Sequence, residues 1–102
     1  MSKTAGYIAL VHKDESTSYG VSFPDLPGCI SAGDTFGEAI ENASQALAGH
    51  LAVMAADGDP IPHARSLEEL KQDAEFVDDS IDAVIAFVAP QGDHVTTLQS
   101  AL

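Results

Sequence analysis

Residues 33–58 read GDTFGEAIENASQALAGHLAVMAADG, and this stretch constrains the fold more than any other in the chain. Thr35 is followed three residues later by Glu38, the spacing of a capping box in which side chains satisfy the free amides of a helix start. Phe36, Ile40, Ala43, Leu47, Leu51 and Met54 then recur at steps of three and four, laying one apolar stripe along about five turns. Gly58 stands where a helix ends on a left-handed residue. A helix with a single apolar stripe cannot bury it alone. The rest of the chain therefore has to supply a flat apolar surface, and its short apolar runs point to a sheet.

Those runs fall on both sides of the helix. Gly6–His12 (GYIALVH) is rich in strand formers, and the polar KDESTS follows it as a turn. Tyr19, Val21 and Phe23 alternate with Gly20 and Ser22, the period of a half-buried strand. Pro24 ends that strand because it has no amide proton to give a ladder. Pro27-Gly28 makes a tight turn, and Cys29–Ala32 starts a third strand. After the helix, DPIPHARS is a connector, and Ser66 with Glu69 forms a second capping box opening a short helix through about Gln72, with Leu67 and Leu70 facing the core. Ile81–Val88 (IDAVIAFV) is apolar and β-branched enough for a central or well-covered strand. The expected fold is α+β: a small antiparallel-rich sheet of about four strands in the order βββα(α)β, helices on one face. With 102 residues it forms one domain around one core.

The charge balance narrows the function. Sixteen acidic residues stand against Lys3, Lys13, Arg65 and Lys71, a formal net charge of −12. Four scattered cations cannot neutralise a run of phosphates, so direct nucleic-acid binding is not expected. An acidic surface attracts cationic partners instead. No run approaches the length of about 18 apolar residues that a membrane span needs, and MSKTAGYIAL lacks the apolar core of a signal peptide. One cysteine cannot close an internal disulfide, which fits a reducing compartment, and the cytoplasm is the expected location.

Catalytic groups do not assemble. Cys29 opens a strand without any local nucleophile signature and reads as a small core residue. His12, His50, His63 and His94 share no metal-ligand spacing. Asp57-Gly58-Asp59 begins like a calcium loop, but Pro60, Ile61 and Pro62 occupy the following positions. Asp82 is the one carboxylate expected inside a strand, whereas a two-metal site needs several. No enzyme activity, cofactor or metal site is expected. A residual metal-dependent hydrolase or nuclease near Asp82 and Asp57–Asp59 stays open as an alternative.

YGVSFPDLPGCISAGDTFGEAIENASQAL, residues 19–47, closely resembles the signature of the HicB family of antitoxins. The strand ending at Phe23, the PDLPGC turn, the SAGDT turn and the capped helix with Glu38-Ala39 and Asn42-Ala43 all fall at the family's spacing. The resemblance covers roughly residues 6–89, leaving 90–102 as a tail. It implies a partial ribonuclease-H-like fold, and binding of a small, basic, double-stranded-RNA-binding-like HicA toxin that cleaves mRNA, with the toxin's catalytic histidine covered. Family members often continue into a ribbon–helix–helix or helix-turn-helix module, and Ala89–Leu102 is too short to hold one. On the rigid turn Asp25 and Leu26 are expected partner contacts, with Asp34 at the helix entrance. Against these stand a turn-forming carboxylate at Asp25, packing at Leu26 and a capping role at Asp34. A homo-oligomer formed by sheet edge or helix face also stays open, as does an orphan module that acts through self-association.

Overall fold

The structure, a computed structural model, describes residues 6–13, 15 and 18–91. Three strands come first: β1 (Tyr7–Lys13), β2 (Tyr19–Ser22) and β3 (Ile30–Gly33). The long helix α1 (Phe36–Asp57), two short helices α2 (Leu67–Leu70) and α3 (Ala74–Asp79), and strand β4 (Ala83–Val88) follow. The four strands form one sheet in the order β3-β2-β1-β4, every neighbouring pair antiparallel. The α+β class and element order expected from the sequence are present, with α3 as an additional helix. The expected tail lies outside the described residues beyond Gln91.

Both ends of α1 form as their residues require. Thr35 Oγ1 accepts the Glu38 amide at 3.0 Å, and the Glu38 carboxylate reaches one residue further back than a standard box, accepting the Asp34 amide at 2.8 Å. At the other end Gly58 adopts φ +76°, and its amide donates back to Ala55. Ala39, Ala43 and Leu47 are fully buried against the sheet, while Ile40, Leu51 and Met54 flank them half-buried. Phe36, the first residue of the expected stripe, sits outside it and meets Tyr19 edge-to-face at 6.0 Å. Small residues at positions 39 and 43 let the helix approach closely, and Asn42 Nδ2 donates to the Ala32 carbonyl on β3 at 2.9 Å.

One expectation changes. The helices do not share one face of the sheet. Tyr7, Ala9 and Val11 of β1 join Val21, Phe23, Leu26, Cys29 and Val88 under α1. Leu10, pointing the opposite way, joins Leu70 of α2 and Phe76 of α3 in a second apolar cluster with Ile8, Leu67 and Ala83 around it. The reason lies in β1 itself, where Ala9, Leu10 and Val11 are consecutive and all buried. A strand apolar on both faces needs cover on both.

A second expectation changes as well. The run at 81–88 is not a central strand: β2 and β1 are the inner strands, and β4 lies at the sheet's edge with Val84, Ile85 and Phe87 exposed. Its inner side pairs with β1 from Tyr7↔Val88 to His12↔Ala83. The segment after it is tied to α1, since Ser44 Oγ donates to the Ala89 carbonyl at 2.6 Å and the Gln91 amide donates to the Ser44 carbonyl at 3.1 Å.

Candidate protein-interaction site

The FPDLPGC segment folds as two linked tight turns. The Leu26 amide donates to the Phe23 carbonyl and the Cys29 amide to the Leu26 carbonyl, each at 3.0 Å. Gly28 takes φ +94°, a conformation that side chains disfavour. Proline at positions 24 and 27 fixes two of the remaining torsions. The turn is therefore rigid, and it carries Leu26 and Cys29 inward to the core. Burial pushes the Cys29 thiol above its ordinary pKa, the reverse of what an activated nucleophile requires.

Asp25 also faces the protein. Its side chain is only 5% exposed, and both oxygens are occupied. Oδ2 accepts the Arg65 backbone amide at 2.8 Å, and Oδ1 accepts Arg65 Nε at 2.6 Å. Arg65 Nη1 continues to Asp73 Oδ2 at 3.2 Å, and the other oxygen of Asp73 caps α3 by accepting the Glu75 amide at 2.9 Å. One guanidinium thus joins the β2–β3 turn to the connector and to the start of α3. Its hydrogen bond, followed by the Glu75 amide, holds the Asp73 carboxyl below its usual range. Tyr7 Oη adds a further tie, donating to the Pro62 carbonyl at 2.7 Å.

Between the turn and α3 this framework leaves a cleft of about 250 Å³. Leu10, Phe23, Pro24, Pro27 and Phe76 give it apolar walls, with Arg65, Asp73, Glu75 and Asp79 among its polar lining. His12 Nε2 lies 2.9 Å from the Asp79 carbonyl, linking β1 to the end of α3. Residues 68–82, which take in all of α3 and all but the first residue of α2, hold seven carboxylates against the single cation Lys71. Six of the seven, Glu68, Glu69, Glu75, Asp78, Asp79 and Asp82, are exposed.

The residues singled out from sequence are thus spread over two places. Asp25 and Leu26 share the turn but face inward, Asp25 to Arg65 and Leu26 to the core at 2% exposure. Asp34 belongs to the β3–α1 junction, with its amide engaged by Glu38 and its side chain exposed. Asp82 lies in the turn before β4, so none of the four strands carries a carboxylate. Sequence reading passed over Arg65 and α3. A lone arginine in so acidic a chain, one residue before a capping box, was the available sign of the first. For the second it was Phe76, three residues after the capping Asp73.

What this geometry defines is a small α+β module with one strongly acidic side, organised around a rigid turn. The chain belongs to the HicB-like antitoxin family of bacterial toxin–antitoxin systems, whose model matches residues 7–95. This is a family of antitoxins rather than of known enzymes. It is 42% identical over 60 residues to an uncharacterised 14.9 kDa protein of Haemophilus phage HP1, a match covering 59% of this chain and 45% of that one. Among solved structures, the antitoxin HicB of Burkholderia pseudomallei aligns with a TM-score of 0.69 and 34% identity, over 83% of this chain and 62% of that one. A HicA3–HicB3 toxin–antitoxin complex contains a chain that aligns with a TM-score of 0.67 and 25% identity, over 86% of this chain and all of that one. The chain thus spans less than half of the phage relative and about three-fifths of the Burkholderia antitoxin.

Proposed function

We propose that this chain neutralises a small, basic, mRNA-cleaving toxin of the HicA type by covering its active site, as a single cytoplasmic domain. The observation that carries this reading is the acidic side formed by residues 68–82 next to the turn–α3 cleft. A toxin that grips RNA must present cations, and a surface of exposed carboxylates competes for those cations while repelling RNA from what it covers. The antitoxin family and the toxin complex formed by a structural relative support the same direction. Asp34 is the proposed direct contact among the residues chosen from sequence. Asp25 and Leu26 serve the interface from inside, by holding Pro24 and Pro27 in the cleft wall.

Titration calorimetry against the small basic protein encoded beside this gene, at two salt concentrations, tests the proposal. Binding that weakens with salt and abolishes the toxin's RNA cleavage is the expected result. The double substitution Glu75→Lys with Asp79→Lys is expected to weaken binding at least ~10-fold and restore cleavage, because it places like charges opposite the toxin. Binding indifferent to both salt and these substitutions refutes the electrostatic account, and no binding refutes the assignment.

A further inference from the structure

Among the described residues β4 pairs only with β1, which leaves its outer edge open. Exposed edges template unwanted strand pairing, and proteins ordinarily blunt them with charges, prolines, bulges or very short strands. β4 has none of these devices. It runs six residues, AVIAFV, in unbroken register with β1 and without a charged group. Three of the six are large and exposed: Val84 at 53%, Ile85 at 40% and Phe87 at 65%. Val84 lies on the α1 face opposite buried Val11, while Ile85 and Phe87 lie on the other face opposite Leu10 and Ile8. The apolar band therefore continues the core outward on both faces of the sheet. The opposite edge, β3, is shorter at four residues, and the side chain of Asn42 already occupies its Ala32 carbonyl.

We infer that β4 is a self-association edge, at which two copies of this chain pair β4 to β4 antiparallel about a two-fold axis. Charge selects a second copy as the occupant. A chain of net charge −12 meets its own kind only where carboxylates are missing, and residues 83–91 contain no charged side chain. With the axis at Ala86, Phe87 of one copy lies opposite Ile85 of the other, an aromatic–β-branched pair of the stabilising kind. Val84 then faces Val88, and Asp82 faces Pro90, so the two Asp82 carboxylates sit at opposite ends of the joint. The contact is isologous, closes on itself and leaves no β4 edge to propagate. A basic partner finds no carboxylate on this strand, so the edge is separate from the surface proposed for the toxin and does not depend on that proposal.

Sedimentation equilibrium of the full chain without toxin decides the matter. The wild type is expected to move from one to two chain masses as concentration rises. Ile85→Lys and Phe87→Lys are each expected to raise the dissociation constant at least ~10-fold, because a lysine on an edge strand opposes pairing. Far-ultraviolet circular dichroism checks that both fold, and Phe87, the more exposed, keeps the test open if the other does not. Val53→Lys, at an exposed position of α1, is expected to leave the dimer unchanged. A monomer at every concentration overturns the inference and leaves the edge to another protein or to the chain's own C-terminal residues. A dimer that resists both β4 substitutions, or that Val53→Lys dissolves, overturns it equally.

Discussion

Arg65 and Asp25, forty residues apart in sequence, are joined twice: the Arg65 amide donates to one carboxylate oxygen at 2.8 Å and its Nε to the other at 2.6 Å. The pair anchors the connector after α1 to the turn between β2 and β3. Removing Arg65 leaves a nearly buried carboxylate with only a backbone donor. Arg65→Ala is expected to lower the unfolding free energy by about 2–3 kcal/mol, somewhat less than for a fully buried pair since the guanidinium is partly wet. Arg65→Lys is expected to recover only part of this, because an ammonium cannot supply the fork-shaped donor set. Urea denaturation of the three proteins measures both values.

The same arginine sets an acid dependence. Asp73 is held below its ordinary value first by Arg65 and then by the Glu75 amide, and Glu69 is held below its own first by its hydrogen bond with the Ser66 amide. A carboxylate with a depressed pKa in the folded state stabilises the fold above its unfolded value of about 4 and loses that contribution as pH falls through the folded value. Stability is therefore expected to be flat on this account from neutrality down to about pH 5 and to drop below pH 4. In Arg65→Met, a carboxyl-carbon NMR titration should show Asp73 moving upward, with Glu69 unmoved. A stationary Asp73 would show that the Glu75 amide alone holds it.

Two glycines near α1 should respond in opposite directions to the same added methyl. A Cβ at Gly33 would lie 2.5 Å from the Ala39 nitrogen, backbone against backbone, so Gly33→Ala is expected to cost about 2–3 kcal/mol as the helix is pushed off the strand. Gly49, inside α1, has open space at the same position, and Gly49→Ala is expected to stabilise by about 0.8 kcal/mol through helix propensity. Thermal melts of the two variants should lie on either side of the wild type.

Cys29 gives a probe of opening. At 3% exposure and with its pKa raised by burial, the thiol is expected to react with a disulfide reagent at neutral pH at least ~100-fold more slowly in the native protein than in urea. Labelling as fast as that of a free thiol would show that the PDLPGC turn opens readily.

The parts of the fold legible in the sequence are those written in local chemistry. The spacing of Thr35 and Glu38, the apolar repeat from Ile40 to Met54 and the terminal Gly58 describe α1 almost completely. Ser66 and Glu69 mark α2 with both halves of the capping box in place. What stayed hidden depends on residues distant in sequence. IDAVIAFV reads as a covered strand, and only the position of β1 in the sheet makes it an edge. Asp25 reads as a turn residue or a surface contact, because its partner lies beyond the whole of α1. The helix at Ala74–Asp79 is masked by its three acidic residues, with Phe76 its only buried side chain. The placement of α2 and α3 on the second face was nonetheless available in GYIALVH, which is apolar without alternation.

The pairing of β1 with β4 has a consequence in time. Tyr7 pairs with Val88, and 88 − 7 = 81 residues separate them. At ~5–20 residues per second of synthesis, the first strand waits about 4–16 s for its neighbour to be made. By the end of that interval β2, β3 and α1 have all been added to the nascent chain, yet β1, an inner strand of the finished sheet, still has one side bare. The completion of the sheet is thus scheduled by translation, and whatever covers the bare side of β1 in those seconds competes with the protein's own last strand.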